Sequence, residues 1–113
     1  MSSARLPAHL EVSSILRQIE ASGDFGTILR KGDPDRGSLL LVITSRGHQV
    51  AILDRVLQID GNYVWQQRPV GEVEEAGVPE FLAKRARFDE DFWALELDIA
   101  DPERFIAETT SLG

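Results

Sequence analysis

The sequence predicts an α+β domain in two layers: a mainly antiparallel sheet of about five strands with two main helices packed on one face, in the order helix, four strands, helix, strand, short helix. Three features lead there. Apolar residues recur at helical spacing near the start and again after residue 78, clusters of turn formers separate four strand-like runs between those segments, and a chain of 113 residues suits one domain with one core. Residues 1–113 are therefore read as a single globular domain.

From Ala8, the apolar residues Ala8, Val12, Ile15, Leu16 and Ile19 fall on one helical face, with Pro7 suited to the first helical position and Gly23 to the C-terminal cap. Phe25 to Lys31 reads as a strand. The turn-rich Lys31-Gly32-Asp33-Pro34-Asp35-Arg36-Gly37 then predicts a hairpin connection. Leu39-Leu40-Leu41-Val42-Ile43 is apolar at every position, which predicts the centre of the sheet, buried on both faces or on one face and in a subunit contact. Ser45 to His48 marks a second reversal and Val50 to Ile59 a third strand, interrupted by Asp54 and Arg55. Asp60-Gly61-Asn62 is a tight-turn signal before a strand from Tyr63 to Val70, ended near Pro69, so the four strands are predicted to form a meander. Gly71 to Gly77 is polar and acidic. Pro79 can open a second helix that ends near Asp89 and places Phe81, Leu82, Arg85, Ala86 and Phe88 on one broad side. Phe92 to Ile99 alternates as a fifth strand, pairing beside the first strand or the fourth, with Trp93, Leu95, Leu97 and Ile99 on one face and Phe92, Ala94, Glu96 and Asp98 on the other. Asp101 as N-cap and Pro102 as first residue start a short last helix through Ser111.

Composition excludes several classes. Asp and Glu number 19 against 12 Lys and Arg, a formal charge of −7, which repels nucleic acid and anionic lipid at long range; a phosphate site would have to be a local basic patch. The absence of cysteine rules out disulfides, thiolate zinc sites and cysteine nucleophiles. The N-terminal residues lack a signal-peptide pattern and no run approaches a membrane span, so the expected location is cytoplasmic with no membrane partner. Nothing in the sequence designates a cofactor.

Three constellations invite chemistry. Glu96 and Asp98 leave the same face of a strand about 7 Å apart at Cα, and with Asp89 and Asp91 they could offer oxygen ligands to a hard cation in a metal-dependent hydrolase or nuclease. The wet face of a half-buried strand beside a polar turn accounts for them more simply. Lys31 and Arg36 flank a tight turn whose amides can form an anion nest, and Arg85, with Lys84 and Arg87, could hold phosphate. Turn chemistry explains the first group, while the helix dipole and the acids at Asp89 to Asp91 explain the second. His9 and His48 lack clear partners, and no nucleophile elbow surrounds any hydroxyl. Trp65, Trp93, Tyr63, Phe25 and Phe92 are expected mostly in the core. If the helices cover only the Trp93 side, however, Phe92 needs another partner, which makes Phe92 and Trp93 the expected interaction residues.

The segment Phe81 to Leu97 resembles the most recognisable stretch of an uncharacterised bacterial family, domain of unknown function 1491. Similar features are the Arg5-Leu6 start, Arg17 on the first helix, Lys31-Gly32-Asp33 with Gly37, and an Asp-Pro-Asp-Leu-Trp step followed by a glutamate-bearing strand, which corresponds to Asp89, Glu90, Asp91, Phe92, Trp93 and Glu96. Glu90 stands where that family has proline, the connection between strands three and four is short, and Asp101-Pro102-Glu103 stands where the family has a glycine. The resemblance implies a compact stand-alone domain and adds no activity, since the family has no established one. The leading functional expectation is a non-catalytic interaction or binding module that self-associates or meets another protein; the metal-dependent hydrolase and a small anion-binding module are the alternatives.

Overall fold

The apolar face running from Ala8 to Ile19 folds as helix α1, Ala8–Ala21, with Ala8, Val12 and Ile19 buried. In the computed structural model, which describes residues 6–68 and 77–111, it is followed by strands β1 (Phe25–Arg30), β2 (Leu39–Ser45), β3 (His48–Leu57) and β4 (Tyr63–Gln67), helix α2 (Val78–Ala86), strand β5 (Trp93–Asp98) and helix α3 (Pro102–Ser111). This is the predicted α+β order. Arg5, the predicted end of the fourth strand at Pro69 and Val70, and the acidic run up to residue 76 lie outside the described residues.

The sheet runs β1-β5-β2-β3-β4, with β5 parallel to β2 and the other three pairings antiparallel. The predicted meander therefore breaks at its first step, because β1 and β2 do not pair and β5 lies between them. Burial explains the choice. Trp93, Ala94, Leu95 and Leu97 are apolar on both sides of their strand and gain most from an interior slot, whereas Phe-Gly-Thr-Ile-Leu-Arg offers a glycine and a threonine and is left at the edge. β2, apolar from Leu39 to Ile43, takes the centre, as its composition predicts.

The placement of the helices also differs from the two-layer expectation. Leu39, Leu41, Ile43, Leu53, Trp93, Leu95 and Leu97 pack with α1 and α3 on one face, while Leu40, Val42, Ile52, Phe92 and Ala94 pack with Val78, Phe81, Leu82 and Ala86 of α2 on the other. A sheet whose central strand is apolar on both faces must be covered on both, so one helix goes to the second face and the domain has three layers. On the α1 side, Arg55 of β3 forms a two-pronged ion pair with Glu11, one arm at 3.0 Å, and lies 5.3 Å and 5.6 Å from the ring centres of Tyr63 and Trp65.

Inserting β5 turns the predicted hairpin loop, Lys31 to Gly37, into a bridge, residues 31–38, across the start of β5. The bridge passes so close that side chains are excluded. A Cβ on Gly32 would overlap the Asp91 carbonyl oxygen and lie 2.6 Å from the Phe92 carbonyl carbon; one on Gly37 would overlap the same oxygen and lie 2.6 Å from Trp93 Cδ1. Gly37→Ala is therefore expected to lower unfolding free energy by about 2 kcal/mol or more in urea titrations, since backbone cannot yield as a flexible side chain can. Gly47→Ala, at a positive φ of 82° with open space around it, is expected to cost only about 1 kcal/mol. Equal losses would contradict this reading of the bridge.

Candidate functional site

Hydrogen bonds fasten the bridge to β5 from three sides. The Asp33 amide donates to the Asp91 carbonyl at 2.9 Å, the Trp93 indole Nε1 donates to the Asp33 carbonyl at 2.8 Å, and the Trp93 amide donates to the Ser38 carbonyl at 2.8 Å. The same loop serves α1: the Ala8 and His9 amides, which a helix start leaves without intrahelical acceptors, donate to the Asp35 and Pro34 carbonyls at 3.2 Å and 2.9 Å. Within the bridge, Asp33 Oδ1 accepts from the Arg36 and Asp35 amides at 2.8 Å and 2.9 Å. Those two bonds, Arg36 first, hold the Asp33 carboxyl below its ordinary value.

Beneath the bridge, on the α2 face, lies a cluster of charge around the Phe92 ring. Asp54, only 5% exposed, accepts from Arg85 at 2.9 Å and has Arg68 at 3.8 Å. Arg85 also reaches Asp89, four residues on, at 3.4 Å, and Asp89 accepts from the Ser38 hydroxyl at 2.9 Å. Burial works against the Arg85 charge, but the Asp54 hydrogen bond and the negative charges of Asp54 and Asp89 outweigh it and hold the guanidinium above its ordinary value. Arg30 stacks 4.8 Å from the Phe92 ring centre and donates to the Glu90 carbonyl at 2.7 Å; Arg85 lies 5.3 Å from the same centre. The stacking compensates Arg30 in part for a buried Nε that has no hydrogen-bond partner.

These contacts decide what the predicted site residues do. Glu96 and Asp98 lie toward the far end of β5 from Asp89 and Asp91, up to about 17 Å and about 23 Å from Asp91 along an extended chain. Asp98 accepts from the Arg46 amide at 3.0 Å, steadying a two-residue hairpin turn in which Arg46 has φ 53° and Gly47 φ 82°. Asp89 is bonded to Arg85 and Ser38, while Asp91 is exposed and contributes its carbonyl to the bridge. Among the described residues no group of three acidic or histidine side chains is placed to hold a metal ion.

The bridge amides nearest Lys31 and Arg36 that could have formed an anion nest are taken up by Asp33 Oδ1, and Arg85 by Asp54 and Asp89; Lys31 and Arg36 themselves are exposed. Phe92 and Trp93, predicted as interaction residues, are 0% and 3% exposed, one facing α2 and the other α1 and α3, so they form core rather than surface. The covering helix that Phe92 required is α2.

Sequence reasoning took Asp54 only as an interruption of the third strand, and Arg30, which it grouped with Lys31 and Arg36 as an anion site, is instead held on Phe92 and the Glu90 carbonyl. The available signal for Asp54 was its alternation with Ile52, which puts both on one face of β3. The exposure of Phe25, expected as core, follows from the edge position of β1.

Comparison with known proteins places this geometry. A family model described as "Protein of unknown function (DUF1491)" matches residues 6–107. The crystal structure of a DUF1491 family protein from Caulobacter crescentus CB15 is 24% identical, with a TM-score of 0.73, covering 89% of this chain and 94% of that one. The NMR structure of a DUF1491 family protein from the same organism is 26% identical at a TM-score of 0.73, with coverages of 88% and 91%. The solution structure of protein Atu0922 from A. tumefaciens is 21% identical at 0.66, with 85% and 87% covered. No curated protein matches the chain. Of the residues that carry the sequence resemblance, Gly32, Asp33, Gly37, Asp89, Asp91 and Trp93 meet at the bridge.

Asp54→Ala, which strips Arg85 of its closest partner, is expected to lower stability by about 3 kcal/mol or more in urea titrations, and Asp54→Leu combined with Arg85→Leu by clearly less. A loss under about 1 kcal/mol for the single variant would show that the pair is screened by water. For Asp33, a depressed folded value means that the bridge's carboxylate contribution is fully present above the ordinary value near 3.8 and is lost as pH falls through the lower folded value. NMR titration of the Asp35 and Arg36 amide shifts should place their midpoint below that ordinary value, and a midpoint at or above it would count against the loop geometry.

Proposed function

Because the chain belongs to the DUF1491 family, whose description assigns no activity, we propose from its own surface that it is a non-catalytic interaction module that self-associates. The carrying observation is the exposed apolar side chains of β1: Phe25 is 74% exposed, Ile28 45% and Leu29 40%, all within a six-residue strand. Leaving these side chains in water forgoes burial free energy of the order of 25 cal/mol per Å². Exposed apolar side chains gathered on one edge strand are a feature of protein-contact surfaces. Of the candidate groups, Arg85, Asp89 and Asp98 are engaged within the fold, which supports binding over chemistry. We place the module in the cytoplasm, where a core without disulfides is the usual condition.

Sedimentation velocity of the full chain from low micromolar to near-millimolar concentration tests the reading. A concentration-dependent shift toward dimer mass is expected, and a monomer across the whole range would overturn it.

A further inference from the structure

β1 closes one end of the sheet and pairs on one side only among the described residues, with β5. A free strand edge presents unpaired backbone N–H and C=O groups, and soluble proteins usually blunt it with lysine, proline, an inward charge or a bulge. Phe25–Arg30 contains no lysine or proline, and its only charge is at the last residue. Its one blunting device is the register shift between Ile28 and Arg30, which leaves Phe25 to Ile28 in regular pairing with β5.

The edge is also complementary to itself. Antiparallel pairing of two copies about Thr27 sets Ile28 opposite Gly26 of the other copy, where there is no side chain to clash, and brings the exposed Phe25 beside the exposed Leu29 at the other copy's register shift. One step further out, Asp24 of each copy, whose Oδ1 also accepts from the Ala100 amide, approaches the exposed Lys31 of the other, while Arg30 stays turned onto Phe92 of its own chain. Parallel pairing would instead set acid beside acid and base beside base. In a chain of net charge −7, copies repel each other at long range, so an edge whose acidic end meets its own basic end is a place where that repulsion is offset locally.

We propose that β1 is the self-association surface and that its occupant is β1 of a second copy, joining two five-stranded sheets into one across a two-fold axis at Thr27. This rests on the self-association reading above and assigns it a surface, a register and an orientation.

The chain has no cysteine, so Thr27→Cys, close in size and exposed, places a single thiol on the axis. Under mild oxidation it is expected to form covalent dimer about tenfold or more faster than Ser13→Cys, an exposed control on α1, because pairing raises the local thiol concentration. Thr27→Lys, which opposes two like charges on the axis, is expected to keep a folded circular-dichroism spectrum and to shift sedimentation to monomer. A wild-type dimer with equal crosslinking of the two cysteine variants would overturn the edge assignment while leaving self-association standing; a wild-type monomer at all concentrations would remove both. Should Thr27→Lys fail to fold, the near-isosteric cysteine variant decides alone.

Discussion

The carbonyl oxygen of Asp91 sits between two glycines, and the arrangement of the sheet follows from that crowding. Gly32 and Gly37 let the 31–38 bridge come close enough for the Asp33 amide to reach the oxygen, and the Trp93 indole returns a bond to the Asp33 carbonyl. Once the bridge is closed over the start of β5, that strand is held between β1 and β2, the bridge carbonyls at Pro34 and Asp35 receive the first amides of α1, and Ser38 is aimed at Asp89. A single loop thus fixes two strands, one helix start and the end of another helix. Its backbone groups are satisfied partly within the loop, by Asp33, and partly by partners far away in sequence, which is how a connection over the top of a buried strand avoids the cost of unpaired polar groups.

The charges around Phe92 belong to the same construction. Asp54 enters a face otherwise made of Leu40, Val42, Ile52 and Phe92, and a carboxylate there is tolerable only with a cation brought to it. Arg85 from α2 supplies that cation and also holds Asp89 at the helix end, so α2 is tied to β3 and to the turn that leads into β5. Such a pair contributes less to stability than to position: it selects the one seating of α2 in which no charge is stranded. A segment dense in arginine, acid and aromatic residues thereby acquires a structural role.

Much of this was legible in the residues. The helices and strands fall where apolar spacing and turn formers put them, because those signals are local; Leu39 to Ile43, apolar at every position, already pointed to a central strand covered twice. What local signals do not carry is which edge a strand returning from a helix will join. The turn formers of Lys31 to Gly37 look the same whether they close a hairpin or bridge an inserted strand, and only the glycines' approach to Asp91 distinguishes the two. The same ambiguity sent Phe92 toward an interface, since its partner α2 was assigned to the wrong face, and left Asp54 as an interruption in a strand when it is a buried anchor for Arg85.

Hydrogen exchange read residue by residue in low denaturant tests most directly whether the closed bridge holds the fold together. The account predicts that the Trp93 indole N–H and the Asp33 amide exchange only through global unfolding, with the same free energy and denaturant dependence as the Leu95 amide in the middle of the sheet. Exchange of those two protons through a smaller local opening, while Leu95 stays protected, would show that the bridge rests on the sheet without holding it, and would contradict the account.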